Sequence, residues 1–212
     1  MAHNILNAKI PLNWMKACAY PTLKRLPNFV DDLSKRLGIL QNWLDYGKPT
    51  TFWISGFSFA HAFLTAIAQN YARKYKIPID KIDFDFEKVI SRSKVISMHQ
   101  SKIVSPPIDG AYIYGMYLSG ARWDLQRMLL AESYPKILWD PMPIVWLKPC
   151  DVAIIFIRER YECPLYITSA RFGVLKTTGH SSNYILSIFL DTNYSVNHWI
   201  KRGLALLCQL DD

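Results

Sequence analysis

The hydrophobic positions change period part of the way along this sequence. In the first half they recur at helical spacing. Val30, Leu33, Leu37, Leu40 and Leu44 follow one another at steps of three, four, three and four, which places them on one stripe of a helix. Asn28 is positioned to cap that helix, with Asp31 in its first turn, and Gly47 followed by Pro49 ends it. A second long helix is predicted from about Ser58 to Lys76. Its polar residues Ser58, His61, Thr65 and Gln69 form one stripe, and Phe59, Phe63 and Ile67 lie elsewhere on the wheel. Arg73, Lys74 and Lys76 fall in its last turn, where cations complement the helix dipole, and Pro78 stops it. A shorter helix over Pro11 to Ala19 would turn Trp14 and Cys18 inward.

Beyond residue 80 the period becomes two. Ile82, Phe84 and Phe86 alternate with Asp83, Asp85 and Glu87, which predicts a half-buried strand. Residues 91–106 are polar and basic, a candidate linker leading into Pro106-Pro107. Tyr112, Tyr114, Met116 and Leu118 alternate as a single strand, and Ile144 to Leu147 is a short apolar run. Cys163, Leu165 and Ile167 alternate, with Pro164 pointing to a sheet edge or a bulge. Leu186, Ile188 and Leu190 alternate, as do Leu204, Leu206, Cys208 and Leu210. Short strands at this spacing, with turn residues between them, predict a small antiparallel barrel or sandwich. The fold class is therefore α+β. A helical subdomain over 4–106 ends in a strand and linker, and an antiparallel β-barrel subdomain follows over 107–212. Met1-Ala2-His3 reads as a cloning remnant and is left out of the first boundary.

Composition and charge add three constraints. Half of the 212 residues are hydrophobic, and a polypeptide of this length buries roughly 70% of its unfolded surface, so a core forms without covalent staples. Cys18, Cys150, Cys163 and Cys208 form no C-x-x-C pair and read as buried free thiols in a reducing compartment. The net charge of +8 is uneven. Residues 1–106 carry 15 Lys/Arg against 7 Asp/Glu, whereas residues 107–212 carry 10 of each. Such a basic half attracts an acidic partner: nucleic acid, anionic lipid or an acidic protein surface. The uncharged stretch between Lys48 and Arg73 is long enough to cross a bilayer, but its polar stripe marks a buried amphipathic helix instead.

Candidate chemistry is sparse. The stretch TTGHSSNY, residues 177–184, groups His180, Ser181 and Ser182. Adjacent residues on a strand point to opposite faces, so His180 does not reach Ser181 as a base, and no G-x-S-x-G elbow is present. The stretch reads as a hairpin turn in which Gly179 supplies a positive φ. Neither phosphate-binding glycine signature occurs. Asp80, Asp83, Asp85 and Glu87 could face one cation, but the spacing of a calcium loop is missing and a solvated strand face explains them. Cys163 has Arg158 and Arg160 nearby in sequence but no local histidine base, and reads as a core thiol. Lys24, Arg25, Lys35, Arg36, Arg73, Lys74 and Lys76 with Tyr71 and Tyr75 could form a basic aromatic surface, without the spacing of a nucleic-acid-binding motif.

Seven ordered blocks carry a resemblance. They are IPLNWMKACAYPTLKRL (10–26), FWISGFSFAHAFLTAIAQNYARKYKIPID (52–80), GMYLSGARWD (115–124), MPIVWLKP (142–149), YECPLYITSAR (161–171), TTGHSSNYILSI (177–188) and HWIKRGLALLCQLDD (198–212). Together they resemble the C-terminal domain of dynein heavy chains, with an axonemal flavour in YECPLY, TTGHSSN and HWIKRG. The sequence departs from the family where Ile167 replaces a usual lysine, where Ser119 replaces a usual glutamate, and in the apolar connector Val152 to Ile157. The resemblance implies a non-enzymatic cap that lies across the AAA+ motor ring of its own heavy chain, with helices followed by a small barrel. It implies no catalytic, cofactor-binding or metal-binding residue here, and no contact with nucleic acid or membrane. It places ATP hydrolysis and microtubule binding in the rest of the motor, and the whole in the cytoskeleton of a ciliary or flagellar axoneme. The cap's expected role is to tune processivity and force, with the basic helical half toward the ring and the strand half as a second contact or a platform for dynein accessory chains. The resemblance also implies that the domain's first helices are missing here, so that some apolar faces lack their usual cover.

Overall fold

Helix α1 (Leu26–Tyr46) begins with Pro27 in its first turn, where the missing N–H would have had no partner in any case. A computed structural model describes this element within residues 9–11, 13–14, 24–88, 105–151, 160–169 and 183–210. Arg25 occupies the cap position, so Asn28 lies inside the helix and caps nothing. Gly47 closes the other end at φ 85°, its N–H bonding to the Trp43 carbonyl, as its sequence position predicts. Of the short predicted helix before it, Asn13 and Trp14 are helical, and Trp14 is exposed where an inward position was expected. Cys18 lies outside the described residues.

Strand β1 (Thr51–Trp53) and a 3-10 turn at Ile54–Gly56 lead into α2 (Ala60–Tyr75). Ala60, Leu64 and Ala68, at successive steps of four, form the buried stripe of α2; Phe63 and Ile67 pack partly against the core, and Phe59 is exposed. Lys76 terminates the helix in the left-handed conformation. Strand β2 (Ile82–Lys88) follows where the alternation predicts it.

The remaining strands are β3 (Ala111–Tyr114), β4 (Tyr117–Ser119), β5 (Arg122–Asp124), β6 (Leu129–Ala131), β7 (Trp139–Pro141), β8 (Val145–Asp151), β9 (Tyr161–Tyr166), β10 (Tyr184–Leu190) and β11 (Ala205–Leu207). They form a four-stranded sheet ordered β1-β3-β8-β2, a five-stranded sheet ordered β10-β9-β11-β4-β7, and the hairpin β5-β6. Among the described residues these strands close into no antiparallel barrel. Two pairings are parallel, β1 with β3 and β11 with β9. The edge strands β2 and β10 run beside each other without a ladder joining them. Both β1 and β2 precede residue 106, and β2 pairs along its whole length with β8, from Ile82 opposite Asp151 to Lys88 opposite Val145.

The predicted strand over Tyr112 to Leu118 is two strands in different sheets. In β3 the buried residues are Ala111 and Ile113; beyond Gly115 they are Met116 and Leu118, so the inward phase shifts by one. Gly115 makes the shift possible. Its φ is 88°, and a Cβ there would overlap the indole of Trp53. The Ser55 hydroxyl donates to the Gly115 carbonyl and ties the crossover to the 3-10 turn.

Pro164 is not at an edge, because β9 lies between β10 and β11. It is tolerated because β11 pairs only with Leu165 and Tyr166, and the register irregularity falls in β10 between Tyr184 and Leu186. The predicted terminal strand shortens to β11, buried on both faces, and is preceded by a helix that hydrophobic alternation did not reveal. This is α3 (Val196–Arg202), with Ser195 before it and Gly203 left-handed after it. Trp199 is fully buried, and its Nε1 donates to Thr192 Oγ1 at 2.7 Å. Arg160 joins the two large sheets, bonding Asp85 of β2 at 2.8 Å and lying 3.1 Å from Asp191, just past β10.

Gly115→Ala should destabilise the domain by at least about 2 kcal/mol, because it forces a side chain into a positive-φ position already filled by Trp53. Urea denaturation of parent and variant measures this; coincident midpoints would be incompatible with the crossover.

Candidate docking surface

The helical spacing of α1 is correct, but the leucine row is not the row that is buried. The inward residues are Phe29, Asp32, Arg36, Ile39 and Trp43, also at steps of three, four, three and four, one position earlier. One residue corresponds to a rotation of about 100°. Arg36 is 3% exposed; its Nε donates to Asp32 Oδ2 at 2.7 Å, and its guanidinium lies 5.3 Å above the Trp53 ring. Trp43 meets Phe52 edge to face at 5.4 Å, in an aromatic group with Phe57 and Phe63. These contacts rotate the helix. Val30, Leu37, Leu40 and Leu44 are left exposed, Leu44 at 81%. Scattered exposed apolar residues are ordinary; here four of them line up along one stripe of α1 beside a buried ion pair.

Beside Trp43, the last residue of the inward row, lies an open cavity of about 460 Å³ bounded by Trp43 and Lys48, one face of α2, and residues 107–111. Trp43, Phe52, Phe63 and Ile67 give it apolar walls. Its rim is held by Asp109. Lys74 Nζ donates to Oδ1 and the Tyr75 hydroxyl to Oδ2, both at 2.6 Å, while Trp146 Nε1 donates to the Asp109 carbonyl at 2.8 Å. Burial acts to raise the Asp109 carboxyl, but the hydrogen bonds from Lys74 and Tyr75 outweigh it and hold the group below its ordinary value. Hydrogen bonding of Lys74 to Asp109, and then to Tyr75, raises the Lys74 ammonium above its ordinary value. Ile108, on the rim, is 87% exposed.

The chemical candidates fare differently. Gly179, His180, Ser181 and Ser182 lie outside the described residues, as does the connector Val152 to Ile157. Asn183, next to them, is buried and straps β10 to the end of β9. Its Nδ2 donates to the Thr168 carbonyl at 3.1 Å and to Oγ1 at 2.9 Å, and its Oδ1 accepts from the Thr168 N–H at 3.2 Å. Asp85 pairs with Arg160, Glu87 with Lys148 at 2.8 Å, and Asp83 accepts its neighbour's backbone N–H. Among the described residues no group of three or more His, Cys, Asp or Glu side chains could hold a metal. Cys163 is fully buried; burial pushes the Cys150 thiol up to about 11 and the Cys208 thiol up to about 12. The basic aromatic surface is partly spent internally, because Arg36 points inward and Lys74 is engaged by Asp109. No described helix is long and apolar enough to cross a membrane.

An apolar row, a cavity and a charged rim define an α+β module that offers contact surface. Similarity to known proteins gives its lineage. The family model for the C-terminal domain of dynein heavy chains matches residues 1–208, and this polypeptide belongs to that family. It is 51% identical over 210 residues to human dynein axonemal heavy chain 3, covering 99% of this chain and 5% of that protein. It is 49% identical to human dynein axonemal heavy chain 12 over 212 residues, covering 100% of this chain and 6% of the relative. Against human dynein axonemal heavy chain 1 the identity is 46% over 211 residues, covering 100% and 5%. The domain thus spans about a twentieth of the relatives it matches. The exposed leucine row was present in the sequence as a pattern; its outward direction was not, because the competing row contains an aspartate and an arginine.

The lowered Asp109 value implies a pH dependence with a definite sign. Its pairing with Lys74 and Tyr75 contributes stability above the ordinary carboxylate range and loses it as the pH falls through the lowered value. Asp109→Asn should therefore melt earlier than the parent at neutral pH and converge with it in strong acid, as read by thermal melts across pH. A constant gap at every pH would contradict the assignment.

Proposed function

We propose that this domain packs against the AAA+ motor ring of its own heavy chain and biases the ring's conformational equilibrium. In this way it tunes ATP-driven microtubule motility in a ciliary or flagellar axoneme, supplying no catalytic or cofactor-binding group itself. Family membership and axonemal relatives support the setting. The exposed row Val30, Leu37, Leu40 and Leu44 on α1 carries the reading, because it is a large apolar face on a domain that forms a small part of a long polypeptide. ATP hydrolysis and microtubule binding fall to the remainder of the heavy chain, and the strand half is left for accessory chains.

The magnitudes are adequate. Covering one such leucine is worth about 1.5–3 kcal/mol, and allosteric coupling typically needs about 1–3 kcal/mol. A cap changes ring behaviour only through contacts that differ between ring states. One or two leucines gained in one state and lost in another would suffice.

The test is best made with point substitutions, because residues on both sides of 106 share one sheet and a deletion of 107–212 would remove partners of β1 and β2. Combined Leu37→Ser, Leu40→Ser and Leu44→Ser in the intact heavy chain should change run length and stall force while ATP hydrolysis persists. If single-molecule traces of parent and variant superimpose, the regulatory role is wrong.

A further inference from the structure

We infer that the cavity walled by α2 and the segment before β3 is a binding site for a small monoanion with an aromatic body, an aryl carboxylate. The inference is independent of the proposed docking to the motor, because it concerns a small molecule and this domain alone.

One helix face builds the main wall. Phe63, Ala66, Ile67, Asn70, Tyr71 and Lys74 of α2 line the cavity, at steps of three, one, three, one and three. That spacing is a continuous stripe of a helix. Along it the chemistry passes from apolar to polar. At the apolar end Phe63 meets Phe52 at 5.0 Å and Phe52 meets Trp43 at 5.4 Å, so three lining rings touch in series. A flat aromatic ligand packs against such rings in offset or edge-to-face arrangements. The volume of about 460 Å³ falls within the range of small-molecule sites, about 300–1,000 Å³.

The polar end supplies recognition of the head group. Strands β1 and β3 pair in parallel with Thr51 opposite Tyr112, so the segments entering them, which hold Lys48 and Asp109, lie at the same end. The lining there contains Lys48, Lys74 and Asp109, two cations against one carboxylate. Asp109 is already occupied, since Lys74 and Tyr75 each donate to one of its oxygens at 2.6 Å. Lys48 makes no hydrogen bond or ion pair among the described residues, and the side chains of Asn70 and Tyr71 make no hydrogen bond among them. Asp45, close to Lys48 in sequence, is outside the lining and accepts from Gln41 at 2.8 Å. Tyr71 is half-buried against Tyr75, and burial raises its phenol, which stays protonated as a donor. One free ammonium and two neutral donors match a single carboxylate, and the ammonium repels a cation.

The experiment titrates the 212-residue polypeptide with 2-naphthoate, with naphthalene-2-methanol and 2-naphthylmethylammonium as neutral and cationic comparators. Calorimetry gives the affinity, and isoleucine-methyl NMR gives the place. Saturable binding of 2-naphthoate is expected. It should shift the methyls of Ile67 and Ile108, which line the cavity, and leave those of Ile188 in β10 unmoved. The alcohol should bind several-fold more weakly, and the ammonium compound without measurable affinity. Lys48→Glu, at an exposed position, should weaken 2-naphthoate several-fold. Ala66→Trp, which fills the cavity from an exposed position on α2, should abolish binding. Thermal melts establish that each variant folds, and Lys48→Glu carries the test if Ala66→Trp does not. Absence of saturable binding would overturn the inference. So would equal affinity for the alcohol, shifts confined to isoleucines outside the lining, or full affinity in either folded variant.

Discussion

The placement of Trp53 governs the architecture. Its indole fills the space where Cβ atoms at Gly56 and Gly115 would lie, and its face receives the Arg36 guanidinium. The first contact lets the backbone pass from β3 to β4 through a positive-φ glycine, so one apparent strand supplies two sheets. The second selects which row of α1 faces inward. A single side chain at the end of β1 thereby sets both the sheet crossover and the direction of the exposed leucines. A smaller residue would remove the surface on which Arg36 rests, and with it the preference of the helix for burying an ion pair over a leucine row.

A directed polar contact joins the two large sheets: Arg160 reaches Asp85 on one and Asp191 just past β10 of the other. Within the second sheet Asn183 closes the end of β9 against β10. On the far side Glu132 takes His198 at 2.6 Å and Arg202 at 2.5 Å, tying α3 to the β5-β6 hairpin, while Trp199 anchors the same helix in the core.

Much of the local structure was legible in the sequence because it depends on neighbours along the backbone. The period of α1 and its stop at Gly47, the basic last turn of α2 and the alternation of β2 follow from spacing and from glycine and proline chemistry. The family was legible too, since seven ordered blocks carry it and the family model matches residues 1–208. Helix α3 was missed because seven residues are too few for a stripe, although Ser195 and Gly203 bracket it.

Tertiary structure alone decided the remainder. A pattern specifies which residues share a face but not which neighbour that face meets. Only the assembled fold shows that a tryptophan from β1 attracts Arg36, and that the leucine row is consequently turned outward. Alternation likewise cannot reveal a change of sheet at Gly115, nor that β2 pairs with a strand some sixty residues away while standing unpaired beside β10. Hydrophobic periodicity is a property of one element. Sheet order, closure and the outward face are properties of contacts between elements, and those are set by shape and charge at positions far apart in sequence.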